Sequence, residues 1–226
     1  MTTPENRTGV VFTREGVQNV DRDAVDVFGM QGMILMENAA SGATSIIKEQ
    51  CSKTDLANIV IVCGSGNNGG DGYAIARLLH NHDHRVHIAV VSEPTSHDAI
   101  HNAGIAKKMH IPVEAWHPEL VEDATLIVDA IFGTGLKREV GEPQKTIIDS
   151  MNSCPAKVVA IDIPSGLDCD TGQPLGTAAR ASLTITFVGS KQGFLHKPAK
   201  EYLGNIEVVG IRCPQSLIKK YAIANT

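Results

Sequence analysis

A glycine-rich segment that follows a short apolar run constrains the fold of this 226-residue chain more than any other feature. Residues 59–62 read IVIV, residues 63–72 read CGSGNNGGDG, and residues 73–79 are amphipathic. This order predicts a buried strand, a tight turn and the start of a helix, because glycine has no Cβ and accepts positive φ. Such a turn can bring backbone N–H groups close to a phosphate at the helix N-terminus.

The glycine-rich turn has two interpretations. Gly64, Gly66 and Gly69 match a dinucleotide-binding fingerprint, in the strand–turn–helix context that the fingerprint requires; the alternative is a tight turn without a ligand. The interior Asn-Asn-Gly-Gly-Asp is not typical of a dehydrogenase, and Glu93, the rough match to the ribose-binding acid, is interpreted as a solvated turn residue. Asp71 is expected at the helix N-terminus, where a capping role is at least as well supported as a direct chemical role.

Composition argues against several functional classes. A net charge of -5 and an aromatic content of 4% argue against a nucleic-acid-binding surface. The five cysteines are odd in number and form no C-x-x-C pair, which predicts a reduced, intracellular protein. No stretch is long and apolar enough to span a membrane, and residues 1–14 lack a signal-peptide core. We therefore expect a cytoplasmic protein that makes no membrane contact.

Apolar runs alternate with amphipathic stretches from residue 58 onward, which predicts an α/β fold. The predicted strands are residues 59–63, 85–91, 111–115, 125–130, 157–161, 183–188 and 206–210, and the predicted helices are residues 13–28, 33–51, 71–79, 97–109 and 144–151. Because the strands are nearly continuous hydrophobic runs, we expect a mainly parallel sheet covered on both faces. The two N-terminal helices carry no evident chemical group and are expected to pack on each other and on the sheet, or on a second subunit.

Carboxylates follow two further predicted strands, at the edge where open parallel sheets bind their ligands. Asp129 begins the segment DAIFGTGL, and Asp162 begins DIPSG. A buried carboxylate needs loop N–H groups, a charged partner or a cation, and Asp162 is a candidate general acid or base. Ser165 can offer an oxygen to a hard cation. The loop after Asp129 continues through Lys137 and Arg138, which either neutralise a phosphate or are simply solvated.

A lysine and a histidine series complete the candidate groups. Lys191 lies in a loop of small residues and either assists chemistry or is an ordinary exposed lysine. His80, His82 and His84 are expected to form a polar loop at the opposite edge of the sheet rather than a metal site. No serine stands in a G-x-S-x-G turn and no cysteine in a nucleophile motif, so neither a hydrolase triad nor thiol catalysis is predicted.

The motifs, in this order, resemble those of the YjeF N-terminal family, the NAD(P)H-hydrate epimerases. The resemblance rests on GSGNNGGDG at residues 64–72, DAIFGTG at 129–135, DIPSG at 162–166, KQG at 191–193 and MENA at 36–39. It spans nearly the whole chain and implies a Rossmann-like three-layer α/β/α sandwich, often dimeric. One domain over residues 1–226 is expected, with the two helices at about 13–51 and the Rossmann-like core at about 58–226.

The resemblance also implies a reaction and a set of site residues. The family interconverts the R and S epimers of hydrated NADH and NADPH, called NADHX and NADPHX, and so repairs nicotinamide nucleotides. Potassium would be held by Asn68, Asp129 and Ser165. The residues that would contact the substrate are Asn67, Asn68, Gly69, Gly70, Asp71, Gly133, Thr134, Gly135, Leu136, Lys137, Arg138, Glu139 and Asp162.

The hydrate carries a hydroxyl group on the carbon beside the ring nitrogen, so its epimerisation needs a group that moves a proton at that oxygen. Asp162 is the first choice for this group, and Lys191 is its lower-ranked partner. Family members in many bacteria are fused to a dehydratase, and this sequence shows no such partner. We therefore expect a stand-alone epimerase that forms a homodimer and works with a separate NAD(P)H-hydrate dehydratase.

Two other functions are weighed against the epimerase. An NAD-dependent oxidoreductase is disfavoured by the Asn-Asn-Gly-Gly-Asp interior and by the lack of hydride-transfer partners. A non-catalytic module would bind an ADP-ribose-like ligand, RNA or a protein, as do family members in mRNA-decapping factors and an apolipoprotein-binding protein. The retained motifs favour the enzyme.

Overall fold

The structure is a computed structural model, and it describes residues 9–223. The strands of this part of the chain are β1 Val11–Phe12, β2 Ile59–Cys63, β3 Val86–Val90, β4 Val113–Ala115, β5 Leu126–Ala130, β6 Lys157–Ile161, β7 Leu183–Phe187, β8 Ser190–Lys191 and β9 Asn205–Val209. Its α-helices are α1 Arg14–Asp26, α2 Gly32–Gln50, α3 Asn67–His80, α4 His97–Lys108, α5 Glu119–Glu122, α6 Gln144–Ser153, α7 Lys200–Leu203 and α8 Gln215–Tyr221.

A seven-stranded parallel sheet forms the centre, in the order β4-β3-β2-β5-β6-β7-β9. The chain runs from β2 outward to β4 and then returns to pair β5 with the other side of β2. This reversal makes a crevice between the carboxyl ends of β2 and β5, which is where ligands bind in open α/β sheets. The topology therefore places the glycine-rich segment and the loop after Asp129 side by side.

Helices cover both faces of the sheet, as the hydrophobic strands require. Apolar residues of α1, α2, α3, α4 and α8 pack on one face, together with residues such as Ile61 and Val128. Residues of α5 and α6 pack on the other face, against residues such as Val62 and Ile127. The predicted three-layer α/β/α sandwich is confirmed; α2 packs on β7 and β9 of the sheet, whereas α1 packs mainly on α8 and β1.

The start of α3 differs from the prediction. The helix begins at Asn67 rather than at Asp71, and Gly66 is its N-cap without a side-chain hydrogen bond. Asp71 is the fifth helical residue, so the predicted capping role is wrong. The glycines of this turn have low helix propensity, but burial of the segment against the sheet and α2 outweighs it.

Two short strands that lie outside the main sheet position Lys191, and the sequence did not predict them. Strand β1 pairs in parallel with β8, so that Phe12 lies opposite Lys191. A Cβ on Gly189 would lie 2.7 Å from the Phe12 ring, so only glycine allows this approach. Strand β8 is thereby fixed beneath the carboxyl ends of the main sheet.

Two negative predictions concern membranes and targeting. Over residues 9–223, none of the helices has both the length and the apolar character of a membrane span. The prediction that residues 1–14 contain no signal-peptide core falls mostly outside the described residues. His80 is the last residue of α3, and His82 and His84 lie in the predicted loop between α3 and β3, at the edge opposite the carboxyl ends of the strands.

Candidate active site

A cleft of about 1370 Å³ opens over the carboxyl ends of the central strands. Its walls come from the loops after β2, β3, β5, β6 and β7 and from helices α1 and α2. The expected substrate-binding residues that line it are Asn67, Asn68, Asp71, Gly133, Thr134, Gly135, Leu136, Lys137, Arg138, Glu139 and Asp162. Residues from three separate motifs therefore face one space.

The three glycines of the fingerprint have different roles. A Cβ on Gly64 would lie 2.1 Å from the carbonyl oxygen of Ile131, and a Cβ on Gly69 would lie 1.9 Å from the carbonyl oxygen of Gly64. Both glycines are therefore required by backbone packing alone. A Cβ on Gly66 would meet nothing within 4 Å, and the φ of Gly66 is -91°. Neither packing nor backbone conformation requires glycine at position 66. The absence of a side chain there leaves open space at the N-terminus of α3.

The first turn of α3 faces the cleft through Gly66 and Asn67. The first N–H groups of a helix have no intrahelical acceptor, and the helix dipole favours an anion beside them. Gly70 and Gly69 do not line the cleft. Gly70 lies against Met36, where a Cβ would approach the methionine sulfur to 2.9 Å. Gly69 and Gly70 therefore shape the turn on the side that faces away from the cleft.

Asn68 is buried, and neither polar atom of its amide group has a hydrogen-bond partner in the described part of the chain. It lies beside Gly133, whose Cβ position is 3.4 Å from the Asn68 side chain. A buried amide without partners costs about 1–3 kcal/mol, so native proteins rarely leave one unpaired. The Asn68 side chain therefore indicates a ligand.

Asp129 and Ser165 form a buried pair next to this point. The carboxylate of Asp129 accepts hydrogen bonds from the Ser165 hydroxyl at 2.6 Å and the Ser165 N–H at 2.8 Å. The Ser165 hydroxyl oxygen also accepts from the N–H of Phe132, the neighbour of Gly133. Burial raises the pKa of Asp129 to about 6, although the Ser165 hydrogen bonds oppose this shift.

Asp162 and Lys191 form an ion pair under the cleft. The Nζ atom of Lys191 lies 2.8 Å from Oδ1 of Asp162, and Lys191 has no exposed surface. Nζ also donates to the Thr186 hydroxyl and to the carbonyl oxygens of Phe187 and Gly189. All three ammonium N–H groups are thus engaged inside the protein, and only the Asp162 carboxylate reaches the cleft.

The backbone around Asp162 is strained, and so is the backbone at the end of the next strand. Asp162 has φ of 66°, and the N–H of Ile163 donates to the carbonyl oxygen of Ile161. Val188 has φ of 69° within the same kind of γ-turn. Positive φ is unfavourable for both residue types, above all for a β-branched valine, and such strain clusters at functional sites. Both residues line the cleft.

Asp21 of α1 also lines the cleft, and the sequence analysis missed it. Its side chain is exposed to the cleft. The surrounding walls nevertheless desolvate it and, with the negative charge of Asp162, raise its pKa to about 7, while Lys191 acts in the opposite direction. The spacing of Gln18, Asp21 and Arg22 marks one helix face, but the outer faces of most helices are equally polar.

Asp71 is buried on α3 and faces the same group of charges. Burial and the charges of Asp162 and Asp21 raise the pKa of Asp71 well above its ordinary value. The carboxyl groups of Asp21, Asp71 and Asp162 therefore interact with one another, and the buried Lys191 is the ion-pair partner of Asp162. Glu93 is exposed and does not line the cleft, in agreement with its interpretation as a turn residue.

The chain matches the family model described as YjeF-related protein N-terminus over residues 32–193. The NAD(P)H-hydrate epimerase of Limosilactobacillus reuteri is 39% identical over 203 residues, which are 89% of this chain and 95% of that protein. The NAD(P)H-hydrate epimerase of Rhodopirellula baltica is 33% identical over 218 residues, 94% of this chain and 88% of its own.

A longer relative and a solved structure extend the comparison. The bifunctional NAD(P)H-hydrate repair enzyme Nnr of Salinibacter ruber is 34% identical over an alignment of 229 positions, which covers 94% of this chain but 42% of that enzyme. The crystal structure of the yeast protein YNL200c superposes with a TM-score of 0.81 at 20% identity, covering 96% of this chain and 97% of the yeast chain. The structural likeness confirms the fold, and the sequence matches show that this chain belongs to the YjeF-related N-terminal family.

Proposed function

We propose that this chain is an isomerase that interconverts the R and S epimers of NADHX and NADPHX. The observation that carries the proposal is the Asp162 carboxylate, fixed by a buried lysine at the base of a cleft that also contains an open helix N-terminus. Relatives that match over most of their length are named NAD(P)H-hydrate epimerase, which supports the same reaction.

The proposed placement of the substrate follows from the charges around the cleft. The pyrophosphate lies at the N-terminus of α3, next to Gly66, where N–H groups and the helix dipole favour an anion. Lys137 and Arg138 are exposed on the cleft wall and can neutralise further negative charge, including an NADPHX phosphate. The hydrated ring then reaches Asp162.

Epimerisation inverts one carbon, which carries both a hydroxyl group and the ring nitrogen. Inversion proceeds either by opening and closing the ring at the carbon–nitrogen bond or by loss and return of the hydroxyl group. Both routes need a proton to move at the hydroxyl oxygen, and Asp162 performs this transfer. Lys191 orients Asp162 and does not touch the substrate, because its N–H groups are all engaged.

A potassium ion is part of the proposal, held by Asn68, Asp129 and Ser165. Three features of these residues fit the ion: the donors are all oxygens, which suit a hard cation; the Asn68 amide has no other partner; and Asn68 and Ser165 both contact the segment Phe132–Gly133. When bound, potassium offsets the buried negative charge and orders the loops, with no redox role.

The partners of the enzyme are also part of the proposal. We propose that the enzyme acts in the cytoplasm together with an NAD(P)H-hydrate dehydratase, and the bifunctional repair enzyme of Salinibacter ruber supports this cooperation. A homodimer is supported by exposed apolar side chains at the junction of α1 and α2, among them Val27, Phe28 and Ile34. Sedimentation velocity at micromolar concentration tests the dimer, and a single species of monomer mass contradicts it.

The role of Asp162 can be tested directly. Asp162→Asn keeps the size of the side chain but cannot carry a proton, so we expect R/S interconversion to fall to the non-enzymatic rate. Calorimetric titration with NADPH, a close analogue of the hydrate, should still detect binding. Wild-type turnover in the variant would remove Asp162 from the chemistry. A wild-type protein that binds the nucleotide but never equilibrates the epimers would favour the non-catalytic binding module.

A further inference from the structure

Epimerisation at a carbon that bears both oxygen and nitrogen needs a proton acceptor and a proton donor. In ring opening, the hydroxyl proton leaves while the ring nitrogen gains one. In hydroxyl loss, the departing oxygen gains a proton and the returning water loses one. Asp162, as the carboxylate of an ion pair, is suited to the role of acceptor. The donor must be a second group on the cleft.

Lys191 cannot be the donor. It is fully buried and surrounded by four oxygen atoms, those of Asp162, Thr186, Phe187 and Gly189, at 2.8–3.3 Å. An ammonium group has three N–H bonds, so none remains for a ligand. A proton transferred from it would also leave the Asp162 carboxylate without its charge partner in a poorly solvated place.

The carboxyl groups of Asp71 and Asp21 both line the cleft, and the negative charge of Asp162 raises the pKa of each. Asp71 is 9% exposed, so it presents almost none of its side chain to a bound substrate, and this burial raises its pKa. Asp21 is exposed to the cleft, and its pKa of about 7 lies where a general acid works best.

We propose that Asp21 is a second catalytic residue, the proton donor that works with Asp162 as proton acceptor. The inference rests on the proposed epimerase function. It follows from the cleft geometry, since α1 places Asp21 and β6 places Asp162 around one space above the saturated Lys191. Two carboxyl groups whose environments separate their protonation states can divide acid and base roles between them.

Both routes balance with this pair. In ring opening, Asp162 accepts the hydroxyl proton, the oxygen forms a carbonyl group, and the carbon–nitrogen bond breaks with its electron pair on nitrogen, which takes a proton from Asp21. Closure on the other face returns both protons. In hydroxyl loss, Asp21 protonates the departing oxygen, and the carbon–oxygen bond breaks with its electron pair on oxygen, which releases water and leaves a cation shared by the carbon and the ring nitrogen. Water then adds to the opposite face and gives a proton to Asp162, and proton exchange with water in the cleft returns Asp162 to the carboxylate and Asp21 to the acid.

The other charged groups near Asp21 do not replace it. Its neighbour Arg22 also lines the cleft, but its guanidinium group pairs with Asp23. From the other elements, Asp71 of α3, Asp162 after β6 and Lys191 of β8 act on Asp21 electrostatically. The exposed residues Lys137, Arg138 and Glu139 line the cleft further along the loop after β5.

The test compares Asp21→Asn and Asp21→Glu with wild type, using purified NADPHX epimers followed by chromatography. Loss of a proton donor lowers rates by roughly 10²–10⁴-fold, so we expect Asp21→Asn to lose at least about 100-fold in kcat with KM changed less than about threefold. Asp21→Glu should recover part of kcat. Glu15→Gln, on an exposed position of the same helix that does not line the cleft, should match wild type.

The pH dependence of kcat distinguishes a catalytic role of Asp21 from a purely structural one. A donor must be protonated, so wild-type kcat should fall as the pH rises through about 7, and this limb should vanish in Asp21→Asn. Asp21→Ala provides a second variant with high helix propensity if the first unfolds. Wild-type kcat in either folded variant overturns the role of Asp21 and leaves the epimerase intact. Failure of the wild-type protein to equilibrate the epimers overturns the proposed function instead.

Discussion

At the scale of single residues, Lys191 depends most on its partners, because a buried cation without an ion pair and hydrogen bonds strongly destabilises the native state. We predict that Lys191→Met lowers the free energy of unfolding by about 3–5 kcal/mol, since it leaves the Asp162 carboxylate without its partner. Urea unfolding measures this loss. The double variant Lys191→Met/Asp162→Asn should recover part of it, whereas strictly additive losses would show that the two groups are not coupled.

The glycine-rich turn supports a second prediction, with its control in the same motif. Gly69→Ala forces a Cβ against the Gly64 backbone and should lower the free energy of unfolding by about 3 kcal/mol or more. Gly66→Ala meets open space, so stability should change by less than about 0.5 kcal/mol. Its methyl group would instead enter the proposed pyrophosphate position and raise the KM for NADPHX about tenfold, or ~1.4 kcal/mol. An unchanged KM would place the pyrophosphate elsewhere.

The sequence predicted which strand-end residues come together at this edge of the sheet but not their protonation chemistry. Asn68, Asp129 and Asp162 were recognisable, because strand ends and glycine-rich turns mark the ligand-binding edge. The burial of Lys191 depends on strand β1, more than 170 residues earlier in the chain, which local patterns cannot reveal. Asp21 carries no motif, and only tertiary packing distinguishes it from the other acidic residues of α1.

At the scale of elements, the C-terminal helix α8 is joined to α1 through Asp23. The Tyr221 hydroxyl and the Lys220 ammonium both donate to this carboxylate. These hydrogen bonds, that of Tyr221 first, lower the pKa of Asp23 to about 2. The cleft wall formed by α1 is thus held in place from its outer side.

This contact predicts an acid-dependent stability. A carboxyl group whose folded pKa lies below its unfolded value stabilises the native state above the unfolded pKa of 3.8, and this contribution is lost as the pH falls towards 2. Tyr221→Phe removes the largest cause of the shift, so stability should fall less steeply between pH 4 and 2 than in wild type. Denaturant unfolding at several pH values measures the slope, with Asp26→Asn on the same helix as control. Identical slopes in wild type and Tyr221→Phe would contradict the coupling.

The strands and helices were predicted correctly where the spacing of hydrophobic residues and the turn-forming residues indicate the same boundaries. Strands β2 and β6 were predicted with their observed bounds, and the other predicted strands differ by one or two residues at an end. The predicted start of α3 was wrong because the low helix propensity of the glycines does not indicate a helix, whereas tertiary contacts stabilise one there. Strands β1 and β8, with two residues each, and the short helices α5, α7 and α8 are below the length at which periodicity is informative.

At the scale of the whole molecule, a bound potassium ion should stabilise the fold by mass action. At about 100 times its dissociation constant, a ligand specific for the native state adds about 2.7 kcal/mol, which raises the Tm of a chain of this size by roughly 5–10 °C. Thermal melts in potassium chloride and in choline chloride at equal ionic strength measure the effect. Asn68→Ala should abolish the potassium-specific rise. An equal rise in choline chloride, or in the variant, would contradict the proposed ion site.

The central claim is that this protein equilibrates the two epimers of a hydrated nicotinamide nucleotide. The most direct test starts from pure R-NADPHX and, separately, from pure S-NADPHX, adds catalytic amounts of protein, and follows the epimer ratio by chromatography. We predict that both mixtures reach the same ratio far sooner than in buffer, while Asp162→Asn leaves them at the buffer rate. Two wild-type mixtures that change only at the buffer rate, with folded protein present, would contradict the account.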